Sequence, residues 1–232
     1  MAVGSRQLPL AITANTDTRF DNFFSSEANK PTVTALQQFT ANASETVFYL
    51  WGNQGSGISH LLQAAQNCCD GHSQYLPLPL FLDYPAAAIT EGLEQVALLC
   101  VDDIQVIAGT PQWEEAVFYL FNRLRETGGQ LVVGSHRPPR ELSLSLPDLH
   151  SRLQWGGVFQ LHSLTDSEKQ QALQFVAQHS GLQLTEDVAH YILTHSSRSP
   201  GFLFELMRRL DDASLAQQRR LTIPFVKSVL GY

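Results

Sequence analysis

The residues from Gly52 to His60 have the types and spacing that suit binding of a phosphate. They read Gly52-Asn53-Gln54-Gly55-Ser56-Gly57-Ile58-Ser59-His60. Glycines allow the tight turns in which successive backbone N–H groups converge on an anion, and a helix starting at the loop's end adds its positive dipole. The spacing follows G-x-x-x-x-G-K-[ST] with one departure. Gly52 and Gly57 hold the glycine positions and Ser59 the magnesium-ligating hydroxyl, but Ile58 stands where a lysine is expected. Taken alone, the loop also reads as a plain glycine-rich turn before a helix.

A second constellation favours the phosphate reading. Leu98-Leu99-Cys100-Val101-Asp102-Asp103 is an apolar run that ends in two carboxylates. On a buried strand, the first would reach a magnesium ion and the next would orient water, or serve as an ordinary loop carboxylate. Many buried strands end in Asp, so this run is weak by itself. Placed after a phosphate loop, it marks a nucleotide fold with Asp102 and Ser59 as candidate metal ligands.

These residues need strands and helices to hold them. Val47-Phe48-Tyr49-Leu50-Trp51 reads as a buried strand feeding the loop, and a helix follows to about Cys69. Further strands are expected over Gln74–Leu78, up to Asp103, over Leu131–Ser135 and over Val158–Leu161. A helix precedes the first strand from Thr32 to Thr40. Trp113, Ala116, Val117, Leu120, Phe121 and Leu124 recur at helical spacing until Gly128-Gly129. Strands alternating with helices predict an α/β fold, a mostly parallel sheet with helices on both faces. After Ser163 the pattern becomes all helical. Thr165-Asp166-Ser167-Glu168 is a capping box, Thr185 caps a second helix, Gly201–Gln217 form a third, and Thr222-Ile223-Pro224 start a fourth. The expected division is an extended tail over 1–15, an α/β nucleotide-binding domain over 16–163 and a helical lid domain over 164–232.

Composition narrows the partners. The chain has 232 residues, 44% of them apolar, and a net charge of -7. An acidic chain without clustered Lys and Arg is a poor non-specific DNA binder. No apolar run approaches the ~20 residues of a membrane span, and the N-terminus lacks the apolar core of a signal peptide. Cys68, Cys69 and Cys100 follow neither a disulfide nor a zinc spacing, and the eight histidines show no ligand spacing. Reduced thiols and a cytoplasmic location are the expectation.

The pieces in this order resemble an AAA+ ATPase, and more narrowly the DnaA family of replication initiators. The resemblance rests on Leu98–Asp103 followed by Ile104-Gln105, on Arg137-Pro138-Pro139-Arg140-Glu141-Leu142, and on Ser151-Arg152-Leu153-Gln154-Trp155-Gly156. Phe20-Asp21-Asn22-Phe23 resembles the family's N-terminal box, which implies that Phe20, Asn22 and Phe23 cover the nucleotide base. The sequence ends just after the lid, so no C-terminal DNA-binding domain is expected. Gln7-Leu8-Pro9-Leu10 looks like a sliding-clamp binding peptide, with Gln7, Leu8 and Leu10 as its contacts.

That combination is similar to the DnaA-like regulatory inactivators. The resemblance implies binding to the DNA-loaded sliding clamp of DNA polymerase III, with DNA met only through the clamp. It also implies stimulated ATP hydrolysis on DnaA, with Arg152 as an arginine finger in trans. A finger acts across an interface, so contact between AAA+ modules is implied, a homodimer being one form. Three departures touch the γ-phosphate region: Ile58, His136 at an acidic sensor position, and Gly201, after Pro200, where a lid arginine belongs, with Arg198 nearby. They imply a bound diphosphate, ADP or a relative, with or without magnesium, and little intrinsic ATPase. The rivals are a self-contained ATPase such as a helicase loader, and a clamp-loader-like structural subunit with a dead site.

Overall fold

The structure is a computed structural model and describes residues 17–42, 45–197 and 200–231, the Pro200 side chain excepted. Gln7, Leu8, Leu10 and Arg198 lie outside the described residues.

The helices and strands follow in the expected order. Helix α1 spans Lys30–Ala41, β1 Val47–Gly52, α2 Ile58–Cys68 and β2 Ser73–Pro77. A short α3 covers Ala86–Thr90, and β3 covers Leu98–Asp102. Then come α4 (Pro111–Glu126), β4 (Gln130–Ser135), α5 (Pro147–Leu153) and β5 (Gly157–Leu161). The sheet is parallel throughout, in the order β2-β3-β4-β1-β5.

Alternation along the strands builds two cores from one sheet. Val47 and Tyr49 of β1, Leu99 and Val101 of β3, and Leu131 and Val133 of β4 face α3, α4 and α5. Their neighbours Phe48, Leu50, Leu98, Cys100 and Val132 face α1 and α2. Successive side chains of a strand point to opposite faces, so a near-continuous apolar run fills both layers.

Two buried polar side chains set the joints. Gln130 at the start of β4 donates through Nε2 to the carbonyls of Phe39, Asn42 and Glu45, which closes the C-terminus of α1. Glu114 in α4 is fully buried. Its carboxylate accepts from the N–H of Gly109 at 2.8 Å and from that of Leu146, the cap residue of α5, at 2.7 Å. A charged acceptor inside the protein thereby fixes where α5 begins.

Four more helices have a core of their own. They are α6 (Asp166–His179), α7 (Glu186–His195), α8 (Pro200–Gln217) and α9 (Ile223–Leu230). Leu173, Ile192, Leu206, Leu210 and Val226 are among the side chains that meet there. The capping box at α6 forms as expected, with Thr165 Oγ1 accepting from the Glu168 N–H and the Glu168 carboxylate accepting from the Thr165 N–H. Thr222 caps α9 by its side chain alone, accepting from the Phe225 N–H, whereas Thr185 makes no side-chain bond to α7. Among the described residues, no helix is long and apolar enough to cross a membrane.

Candidate functional site

Strand β1 runs into the glycine loop, and α2 starts at Ile58 directly after it. Gly57 has φ 101°, a left-handed backbone that favours glycine, and a Cβ there would lie 2.6 Å from Phe23 Cε2. The loop thus turns tightly beneath Phe23 and brings the start of α2 toward a cleft of about 520 Å³.

Of the candidate residues, Asn22, Phe23, Gly55, Ser56, Gly57, Ile58, Ser59, His60 and Gly201 line that cleft together. The lid supplies the facing wall through Leu164, Val176, His179, Ser180 and Phe204. Sequence reasoning did not name these lid residues, because on an amphipathic helix a wall residue has no signature of its own. Pro200 begins α8.

Other candidates stand behind the cleft. Phe20 packs against the α1–α2 core. Gly52 is pressed against β5, since a Cβ there would sit 2.4 Å from the Leu161 carbonyl oxygen. Asn53 Nδ2 donates to Ser163 Oγ at 3.2 Å, which ties the loop to the start of the lid. Gln54 is exposed.

The N-terminal segment is tied to itself and to the start of α2. Asn22 Oδ1 accepts from the Arg19 N–H at 2.9 Å, and its Nδ2 donates to the Asp17 carbonyl at 2.6 Å. His60 Nε2 lies 3.0 Å from the Arg19 carbonyl, which can only accept, so Nε2 is the donor. Burial pushes the His60 pKa down, partly opposed by that same bond. The result is a neutral imidazole beside Phe23, with ring centroids 5.3 Å apart.

The phosphate end differs from a lysine-bearing loop. Ile58 is 4% exposed and belongs to the α1–α2 core. Its Cγ2 lies 2.7 Å from where a Cβ on Gly134 would be, so the side chain is wedged against β4. What remains for an anion is the start of α2 and the loop itself. Ser56 Oγ is buried in that loop without a hydrogen-bond partner, a polar atom that a phosphate oxygen would satisfy. These residues fit a nucleotide phosphate.

Asp102 is 3% exposed at the end of β3. Its Oδ2 accepts from the Tyr75 hydroxyl at 2.6 Å and its Oδ1 from the Asp103 N–H at 3.0 Å. Burial pushes its pKa up, against hydrogen bonds from Ser59 and Tyr75. Ser59 and Asp102 therefore adjoin, as a magnesium site would need. Asp103 adopts φ 59° and pairs with His136 Nε2 at 3.1 Å, while His136 Nδ1 lies 3.2 Å from the Gly52 carbonyl. His136 joins the two motifs and lines the cleft.

Arg152 lies elsewhere, within the last turn of α5. Its guanidinium carbon sits 3.7 Å from the centroid of Trp155 and 5.9 Å from that of Phe121. Nη1 is buried without a hydrogen-bond partner. Among the described residues no carboxylate forms an ion pair with it. A cation on an aromatic face gains roughly 0.5–2 kcal/mol, and the ring takes the flat face without using the N–H donors, of which Nη1 is buried.

Comparison with known proteins agrees with this geometry. Residues 82–160 match the family described as the bacterial DnaA ATPase domain, and residues 166–230 match the one described as the Hda lid domain. A Haemophilus influenzae protein of undescribed function is 40% identical over 231 residues, 98% of this chain and 99% of its own. Domain III of the Thermotoga maritima replication initiation protein DnaA shares the fold with a TM-score of 0.78 at 23% identity, over 94% of this chain and 97% of that one. DnaA from Aquifex aeolicus, bound to AMPPCP, has a TM-score of 0.70 at 23% identity, over 84% of this chain and 66% of that one. With the parallel sheet, the glycine loop and the helical lid, these matches place the chain in the DnaA-related AAA+ proteins of DNA replication, in the branch that carries the Hda lid.

Proposed function

We propose that this chain is a negative regulator of replication initiation. It holds a nucleoside diphosphate, binds the DNA-loaded sliding clamp through Gln7, Leu8 and Leu10, and stimulates ATP hydrolysis on DnaA with Arg152 in trans. The carrying observation is the Arg152 guanidinium, which is stacked on Trp155 and joined to no carboxylate. A charge left in that state suits a phosphate on another molecule. The cleft supports the same division of labour. Its loop retains the backbone cradle for α- and β-phosphates, but Ile58 and Gly201 bring no cation to a γ-phosphate. Ser59 and Asp102 are the residues that would hold magnesium with the diphosphate.

The test is a DnaA ATPase assay with DNA-loaded clamp. Arg152→Ala is expected to fold and bind ADP as wild type does, yet to lose the stimulation, since arginine fingers contribute roughly 10³–10⁵ in rate. Arg152→Lys is expected to rescue poorly, because an ammonium lacks the planar donor fork. Full stimulation by Arg152→Ala would remove the assignment, with Arg137 and Arg140 next to examine. The clamp contact has its own check. Changing Gln7 and Leu8 together to Ala is expected to abolish clamp pull-down and leave nucleotide affinity intact. Unchanged pull-down by that double variant would refute it.

A further inference from the structure

We infer that Trp155 is a positioning residue for Arg152, holding the guanidinium in place without consuming its donors. The inference rests on the reading of Arg152 as a finger. An arginine near the surface loses much rotamer freedom when it must meet one phosphate, and a group that restrains it beforehand removes part of that loss. A carboxylate would restrain it more tightly, but would occupy the same N–H edge that a phosphate needs and would cancel its charge. An aromatic ring takes the flat face instead and leaves the edge open.

Trp155 is placed to do this. It follows α5 directly, its N–H donates to the Arg152 carbonyl at 3.1 Å, and it is 57% exposed. The next residue fixes the chain. A Cβ on Gly156 would lie 2.0 Å from the Val47 carbonyl oxygen, so the backbone after the ring runs flush against β1. The guanidinium of Arg125, from α4, lies 5.3 Å from the same ring centroid. Two cations thus share one indole, and their like charges favour transfer of Arg152 to an incoming anion.

The experiment titrates wild type, Trp155→Leu and Trp155→Phe in the DnaA ATPase assay with loaded clamp, beside Arg152→Ala. Trp155→Leu keeps apolar bulk and removes the π face. It is expected to lower the maximal stimulated rate about tenfold, the size of one cation–π interaction. The half-saturating concentration is expected to stay within about twofold of wild type. Trp155→Phe is expected to recover most of the rate. In the isolated chain, the ring-current shift of the Arg152 guanidinium protons should fall in Trp155→Leu to what Phe121 contributes and be largely kept in Trp155→Phe, a readout indifferent to assay conditions. The inference is overturned if Trp155→Leu reaches the wild-type maximal rate, if its defect is wholly a raised half-saturating concentration, or if Phe rescues no better than Leu. Should Arg152→Ala itself keep full stimulation, the finger reading has failed, whatever Trp155 does.

Discussion

The nucleotide cleft and the Arg152 face treat charge in opposite ways. In the cleft the polar side chains are mutually engaged: Asp103 Oδ1 lies 3.1 Å from His136 Nε2, and Asp102 takes bonds from Tyr75 and the Asp103 N–H. The loop's lysine position is filled by an apolar side chain wedged into the core. On the other face Arg152 and Arg125 gather around Trp155 with no carboxylate in an ion pair to Arg152 among the described residues. A site that turns over its own triphosphate needs cations where negative charge develops. Among the described residues, Arg125 and Arg152 gather at Trp155, and neither lines the cleft. That difference is what the proposed division of labour requires, with a nucleotide held in the cleft and Arg152 offered to a neighbour.

The largest effect that separates the two regions is expected from Glu114. Its buried carboxylate satisfies the N–H groups of Gly109 and Leu146 at once, and Leu146 is where α5 starts. Glu114→Ala removes the acceptor of both part-buried bonds and leaves a cavity where a fully buried side chain stood, and is expected to cost roughly 1–3 kcal/mol, read by denaturant unfolding. Because α5 carries Arg152, stimulation of DnaA is expected to fall as well, although Arg152 is untouched. ADP affinity, measured by calorimetry, is expected to hold, since neither Glu114 nor its bonded partners Gly109 and Leu146 line the cleft. An equal loss on both sides would show that the two regions are not separable.

Much of this arrangement could be read before the structure. The fold follows from periodicity: every strand face that packs on a helix layer was visible as an apolar run, and the turns were marked by glycine, as at Gly128-Gly129. Helix α1 extends beyond the expected Thr32–Thr40, to Lys30 and Ala41: Gln130 serves its C-terminal carbonyls from afar, and Asn29 ahead of its start is fixed by side-chain bonds to the His162 backbone. The short α3 was hidden in the Pro/Ala-rich stretch, where no amphipathic period can develop in so few residues. The loop residues around Gly57 were legible because phosphate binding constrains both type and spacing. The lid wall, the Tyr75–Asp102 bond and the Glu114 brace were not, since each joins residues far apart in the chain through a single side chain.

The two missing cations of the cleft offer the sharpest and smallest test. They are not equivalent. Lysine at position 58 would have to abandon the core that Ile58 fills, at a cost of about 1–3 kcal/mol. Position 201 is open: a Cβ there meets no atom within 4 Å, and Gly201 lines the cleft in the first turn of α8. Arginine replaces glycine in a helix with a gain near 0.8–1 kcal/mol, offset in part by a cation's poor placement at a helix N-terminus. Gly201→Arg should therefore leave stability nearly unchanged. Its charge, partly screened by solvent, is expected to raise affinity for a non-hydrolysable ATP analogue about tenfold and that for ADP less than threefold. Gly201→Gln, of similar reach but uncharged, is the control and should shift neither. Wild type is expected to prefer ADP, and an ATP affinity more than tenfold above that for ADP in wild type would contradict the diphosphate reading. If Gly201→Arg binds the analogue no tighter than wild type, the first turn of α8 does not face the terminal phosphate. The weakness of the cleft toward a triphosphate must then lie with Ile58 and the His136–Asp103 pair.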